Sequence, residues 1–196
     1  LLAWTIEAAL ESGCFARVYC SSEDRGTLAV AADLGAESLL RPVALAADDS
    51  VDIDWVRHAL QMSGVAHQEV IAILRPTSPF RSAATIRRAF ERWEEVQSVG
   101  ADSLRAMRRV DEHPDKMWVL NGRLMRPFMG VSGRLALHSR PTQSLDPVWS
   151  QTAGLEIMRA ELPLLRRSLT GDRVAGFILD GPEALDINTE WDWRVA

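Results

Sequence analysis

The run 69–74, EVIAIL, constrains this chain more than any other segment. It leads directly into Arg75-Pro76-Thr77-Ser78-Pro79-Phe80-Arg81, then Ser82 and a helical repeat of Ala83, Ile86, Ala89, Phe90 and Trp93. A compact apolar run of this kind reads as a strand buried on both faces. Ser82 reads as the cap of a helix over 83–96. The same rhythm precedes it: a helix over 1–11 closed by Gly13, a strand over 16–20, and a helix over 27–34 ended by Gly35. A connecting stretch through Pro42 then leads to a helix over 51–62. This alternation predicts an α/β fold, a three-layer sandwich with a mostly parallel central sheet. After Gly100 the rhythm changes. Residues 101–110 read as extended, 117–120 and 124–126 as a hairpin about Asn121 and Gly122, and 130–148 as irregular and basic, with Arg134, His138 and Arg140. An apolar strand over 174–179 and a helix from Thr189 close the pattern, with Trp191 and Trp193 expected to anchor that helix.

At 196 residues, with 47% hydrophobic and 25% charged side chains, the chain reads as one domain, 1–196, with an ordinary apolar core. These proportions exclude collagen-like and disordered classes. A net charge of −5 leaves no nucleic-acid footprint. No run of about 18 apolar residues appears, so neither a membrane span nor a leader is expected. Cys14 and Cys20 lack metal-ligand spacing, which suits a reducing, cytoplasmic location. Lys116 is the only lysine among the 22 basic side chains.

In open α/β sheets ligands collect beyond the carboxyl ends of strands. That directs attention to the loop after EVIAIL, where two prolines fix a Thr-Ser pair between Arg75 and Arg81. Guanidinium forks there suit a phosphate or carboxylate, while a plain strand-to-helix turn accounts for the same residues. The second candidate is 184–192, ALDINTEWD. Alternation places Asp186 and Asn188 on one face of an extended segment, and two such oxygen-bearing side chains suit Mg2+. Helix-start chemistry, with Asn188 or Thr189 as cap and Glu190 and Asp192 in the first turn, accounts for it too.

Taken together and in this order, LRPTSPFR and ALDINTEWDW resemble the two signatures of the acylneuraminate cytidylyltransferase (CMP-sialic acid synthetase) family. Glu112-His113-Pro114, Asn121-Gly122 and RVYCSSED resemble the elements between and before them. The resemblance implies a nucleotide-diphospho-sugar transferase-like fold and transfer of CMP from CTP to the anomeric hydroxyl of a sugar acid, with Mg2+ and release of pyrophosphate. It implies Asp186 as catalytic metal ligand, with Asn188 beside it. It implies Arg75, Ser78 and Arg81 as nucleotide or substrate contacts or, for the last two, as residues ordering the loop. Arg140 stands near the family's carboxylate-binding arginine, Thr142 aligning with that position, and His113 would orient a loop or touch substrate. A homodimer is implied, with about 110–150 as a dimerisation and substrate extension.

Two positions depart from the family pattern: Arg75 where glutamine is usual, and Asn188 where a second aspartate is common. Arginine only donates, so the accepting half of an amide's recognition is lost. The family's first strand and its glycine-rich A-R-x-G-S-K loop find no counterpart in these residues. The expectation is therefore a domain whose N-terminal strand is missing. These 196 residues alone would then be inactive, or would act only as a dimerisation or weak nucleotide-binding module.

Overall fold

The computed structural model describes residues 1–129 and 136–196; Arg134 lies outside the described residues. Helix α1 (Leu2–Ser12) ends at Gly13, whose φ of 68° is the left-handed geometry that favours glycine. Strand β1 (Tyr19–Ser22) leads to α2 (Arg25–Asp33), capped by Asp24 through the Thr27 N–H. Hydrogen bonds from the Thr27 side chain and backbone hold the Asp24 carboxyl below its ordinary range. Then follow β2 (Glu37–Leu40), α3 (Asp52–Ser63), β3 (Val70–Ile73) and α4 (Ala83–Ser98). Ser82 and Thr85 close a reciprocal capping box at the start of α4. The remainder comprises β4 (Ser103–Arg109), β5 (Trp118–Asn121), β6 (Leu124–Pro127), β7 (Trp149–Arg159), α5 (Glu161–Leu165), β8 (Val174–Ile178) and α6 (Glu190–Val195).

The main sheet has the order β3-β7-β4-β8. Strand β7 runs antiparallel to β3 and β4, whereas β4 and β8 are parallel. A second, two-stranded parallel sheet pairs β1 with β2. The layered α/β architecture is the expected one, and the sheet is mixed. The antiparallel member is β7, which the sequence reading left unassigned. Its run is broken by Gly154 and by the charge of Glu156, and neither helical nor alternating apolar spacing marks it. Strand β2 also went unread, because ESLL is short and half polar.

Successive side chains of a strand face opposite ways, and β7 shows the consequence. Leu155 and Ile157 join Ile86, Trp93 and Ala8 in one core, while Met158 joins Val56, Leu60 and Ile73 in the other. The two cores therefore lie on the two faces of the sheet, α1 and α4 against one and α3 and α5 against the other. A third cluster, around Ile6, Cys20, Leu28 and Ala31, belongs to the small sheet.

Strand β3 departs from the expectation of burial on both faces: Val70 is exposed and Ile71 and Ala72 half-buried. The reason is position, since β3 is the edge of its sheet. Around the expected hairpin, Asn121 pairs with Leu124, so the loop is Gly122-Arg123, with Gly122 at φ 61°. Trp191 and Trp193 are 71% and 58% exposed, so they do not anchor α6. That helix is held instead by its Thr189 cap, because six residues bury too little surface for side-chain anchoring.

Candidate functional site

Strands β2 and β3 each run out into the same tripeptide, Leu40-Arg41-Pro42 and Leu74-Arg75-Pro76. Both arginines line one cleft of about 520 Å3, together with Ser21, Ser22, Asp52 and Trp55. The Arg41 guanidinium donates to the Ser21 carbonyl (3.1 Å) and lies 5.6 Å over the Trp55 ring. Arg41 was missed in the sequence reading, although the repeated Leu-Arg-Pro was the available signal.

Arg75 is fully engaged. It donates to Glu156 Oε1 and to Asp52 Oδ2, both at 2.6 Å. Glu156 is 1% exposed and meets Arg105 at 2.9 Å on its other oxygen. Burial alone would lower the Arg75 pKa, but bonds to Glu156 and the charges of Glu156 and Asp52 outweigh it and raise it. As placed, Arg75 is a clamp between α3 and β7, and a ligand in the cleft would have to displace Asp52 to reach it.

Arg81 sits 3% exposed. It donates to the carbonyls of Arg75 (3.0 Å) and Gly154 and to Thr5 Oγ1 (3.1 Å). Its pKa is pulled down to about 10 by burial. Of the two roles expected for it, loop order is the one this geometry performs. Ser78 is equally enclosed, and its Oγ has no hydrogen-bond partner. The close approach of β7 is made at Gly154, where a Cβ would lie 3.1 Å from Leu179.

The second motif reaches the first through main chain: the Ile187 N–H donates to the Thr77 carbonyl at 2.8 Å. This places Asp186 and Asn188 beside the 75–81 loop. Their side chains share a face, as alternation required, and the Asn188 amide donates to Asp186 Oδ2 at 3.2 Å. Asp186 Oδ1 is enclosed and unpartnered, and a recess of about 390 Å3 opens here between Arg108, Gln151, Thr152, Asp186 and Asn188. Asp192 serves the helix instead, since its Oδ2 accepts from Asn188 N–H, Thr189 N–H and Thr189 Oγ1. Those bonds, led by the Thr189 hydroxyl, hold its carboxyl below the usual range. Helix-start chemistry and an Asp186–Asn188 pair with one unpartnered carboxylate oxygen thus coexist, carried by different side chains. No cluster of three or more metal-binding side chains occurs among the described residues.

Arg140 is not brought to this place. It is exposed and lines neither cavity, and its carbonyl accepts from Lys116 Nζ at 2.6 Å. His113 orients a loop: Nε2 meets the Asp146 carbonyl at 2.8 Å and Nδ1 accepts from Asp115 N–H.

No family model matches the chain. N-acylneuraminate cytidylyltransferase of Escherichia coli is 38% identical over 97 residues, which cover half of this chain but only 23% of that protein. CMP-N,N'-diacetyllegionaminic acid synthase of Legionella pneumophila is 29% identical across the whole chain and 82% of its own length. Post-translational flagellin modification protein B of Campylobacter coli is 24% identical, again across the whole chain. Among solved structures, CMP:2-keto-3-deoxy-manno-octonic acid synthetase complexed with CTP superposes with a TM-score of 0.65 at 10% identity, covering 99% of this chain and 84% of that one. The 4-diphosphocytidyl-2C-methyl-D-erythritol synthase of Anaerococcus prevotii gives 0.63 at 8% identity, with coverage of 100% and 86%. No helix among the described residues is long and apolar enough to cross a membrane. The chain is thus similar along its whole length to a CMP-sugar-acid synthase, and it shares the fold of the two cytidylyl-transferring enzymes above.

Proposed function

We propose that the chain serves CTP-dependent transfer of CMP to the anomeric hydroxyl of a sialic-acid-like sugar acid. The bond from Ile187 to Thr77 carries this reading, because it unites the two motifs at the carboxyl end of β3, where ligands collect in such sheets. In the reaction the anomeric oxygen forms a bond to the α-phosphorus as the bond to the bridging oxygen breaks. Pyrophosphate leaves with that electron pair, and the hydroxyl proton passes to water. The protein's share is orientation and charge. Arg41 and the Trp55 ring offer a face and a cation for the nucleotide. Arg75 offers a second cation once Asp52 yields, and Arg81 and Ser78 keep the loop in place.

Asp186 fits Mg2+, since its enclosed Oδ1 has no partner and this ion takes few protein ligands beside water and phosphate; the Asn188 amide, which donates its N–H to Oδ2, would add its oxygen once turned over. When bound, Mg2+ neutralises charge on the triphosphate. With asparagine in place of a second carboxylate, the pair brings one negative charge. A weak nucleotide-binding role without turnover is the second reading, favoured by the engagement of Arg75 with Glu156 and Asp52. Free Cys14 and Cys20 are in keeping with a cytoplasmic location.

Pyrophosphate release from CTP and Mg2+ over a panel of N-acylneuraminate, legionaminate, pseudaminate and 3-deoxy-manno-octulosonate tests the proposal. Residues 1–196 alone are expected to release none above background. The same residues preceded by a strand and an A-R-x-G-S-K loop are expected to release it with at least one acid. Silence of the preceded chain with every acid overturns the synthetase reading, and robust turnover by 1–196 alone removes the need for that loop.

We further propose a homodimer through the β5–β6 hairpin. Leu120 and Leu124 are 79% and 78% exposed there, with Phe128 and Met129 beside them, and apolar patches of this kind mark interfaces. In sedimentation, wild type is expected as a dimer at micromolar concentration and the Leu120→Glu/Leu124→Glu variant as a monomer. A monomeric wild type refutes it.

A further inference from the structure

The recess at the second motif brings together Arg108 of β4, Ser150, Gln151 and Thr152 of β7, and residues of the 184–192 segment. Strand pairing fixes the first of these in place, since Arg108 stands opposite Ser150 in the β4–β7 register. The recess shares no lining residue with the cleft of Arg41 and Arg75. The two are nonetheless tied by the bond from Ile187, next to Asp186, to Thr77, two residues past Arg75. Among the described residues the Arg108 guanidinium has neither an ion pair nor a hydrogen bond. Arg75, Arg81 and Arg105 are by contrast all engaged. Arg25, Arg109, Arg123, Arg126 and Arg140 also lack side-chain partners there, but none of them lines either cavity. Arg108 is thus the uncommitted cation of the recess, with its whole fork open to a planar oxyanion.

We infer that Arg108 binds the carboxylate of the sugar-acid acceptor, and that this recess, rather than the cleft, is the acceptor's place. The inference rests on the proposed reaction and names the residue that selects an acid for it. In a 2-ulosonic acid the carboxylate and the attacking hydroxyl stand on the same carbon. A cation that holds the carboxylate must therefore lie beside the reacting centre, or the hydroxyl is not aligned. Incoming and leaving oxygens lie roughly in line across the phosphorus, which asks for two binding regions rather than one. The cleft and the recess, joined at the Thr77–Ile187 bond, are two such regions. Phosphate is the other oxyanion that suits a guanidinium fork. Beside Arg108, however, Ser150, Gln151 and Thr152 offer only neutral hydroxyl and amide groups. These match the hydroxyls of a sugar and add no positive charge for a phosphate chain. A volume of about 390 Å3 is on the scale of small-molecule sites.

The test is calorimetric titration of residues 1–196 with the four acids named above, with their methyl esters and with CTP. In wild type the best-bound acid is expected to bind about tenfold to a hundredfold more tightly than its neutral ester, the worth of one charge-assisted pair. Arg108→Met is expected to lose that advantage while its affinity for the ester and for CTP stays the same. Arg108→Lys, which keeps the charge without the fork, is expected to recover part of it. Arg109→Met, at an exposed neighbour outside both cavities, is expected to bind as wild type does. Equal acid affinity in wild type and Arg108→Met overturns the inference, as does equal affinity of wild type for acid and ester. So does a loss of CTP affinity in Arg108→Met with acid binding kept, because Arg108 would then be a phosphate contact. Absence of acid binding by wild type overturns it as well. The synthetase reading falls only if the chain preceded by the strand and loop is also silent in pyrophosphate release.

Discussion

Replacing Glu156 by glutamine is expected to lower the stability of the chain by about 3–5 kcal/mol, the cost of breaking a buried ion pair from one side. Glu156 is 1% exposed and stands between the guanidinium groups of Arg75 and Arg105, at 2.6 and 2.9 Å. Without its charge, two half-buried cations lose their shared counter-ion in the middle of the main sheet. A typical domain holds only about 5–15 kcal/mol in all, so urea midpoints will register the change clearly. Arg75→Gln is expected to cost less, about 1–3 kcal/mol, because Glu156 keeps Arg105 and Arg75 is partly solvated. The double variant should then be less destabilised than the sum of the two, with a coupling of about 0.5–3 kcal/mol. A Glu156→Gln protein within about 0.5 kcal/mol of wild type, the ordinary range for surface changes, would show that this buried network carries no weight.

Asp186→Ala should leave stability nearly unchanged and remove divalent-ion binding. Among the described residues the carboxylate accepts a single hydrogen bond, from the exposed Asn188 amide, so little of the fold depends on it. In calorimetry or Mn2+ resonance, wild type is expected to bind the ion in the presence of CTP and the variant to lose that binding. In a chain competent for pyrophosphate release, turnover should fall on the order of 10²–10³-fold, the scale for losing one preorganised electrostatic group. Asn188→Asp should bind the ion more tightly, since it adds the second negative charge. Unchanged ion binding in Asp186→Ala would remove this residue from the metal role, whatever the fate of activity.

Much of the local architecture was legible in the order of residues. The stop of α1 at Gly13, the cap of α4 at Ser82, a hairpin turning at Gly122 and a cap of α6 at one of Asn188 and Thr189 each follow from a few neighbouring side chains. So did the facing of Asp186 and Asn188, which needs only the alternation of an extended segment. Strand β7 escaped for the opposite reason. A buried glutamate reads as polar until Arg75 and Arg105 are known to neutralise it, and those residues lie 81 and 51 positions away in sequence. Arg81 and Arg75 likewise read as ligand-binding cations, because nothing local reveals that carbonyls of β7 and carboxylates of α3 and β7 already occupy them.

The sequence by itself determined the α/β class, several helix ends and the two motifs, since caps, turns and periodicities are short-range effects of side-chain shape and hydrogen bonding. Only the tertiary structure decided which cations are already engaged and where the antiparallel strand enters the sheet. Those outcomes depend on pairing between distant segments, where burial turns a charge into a structural tie.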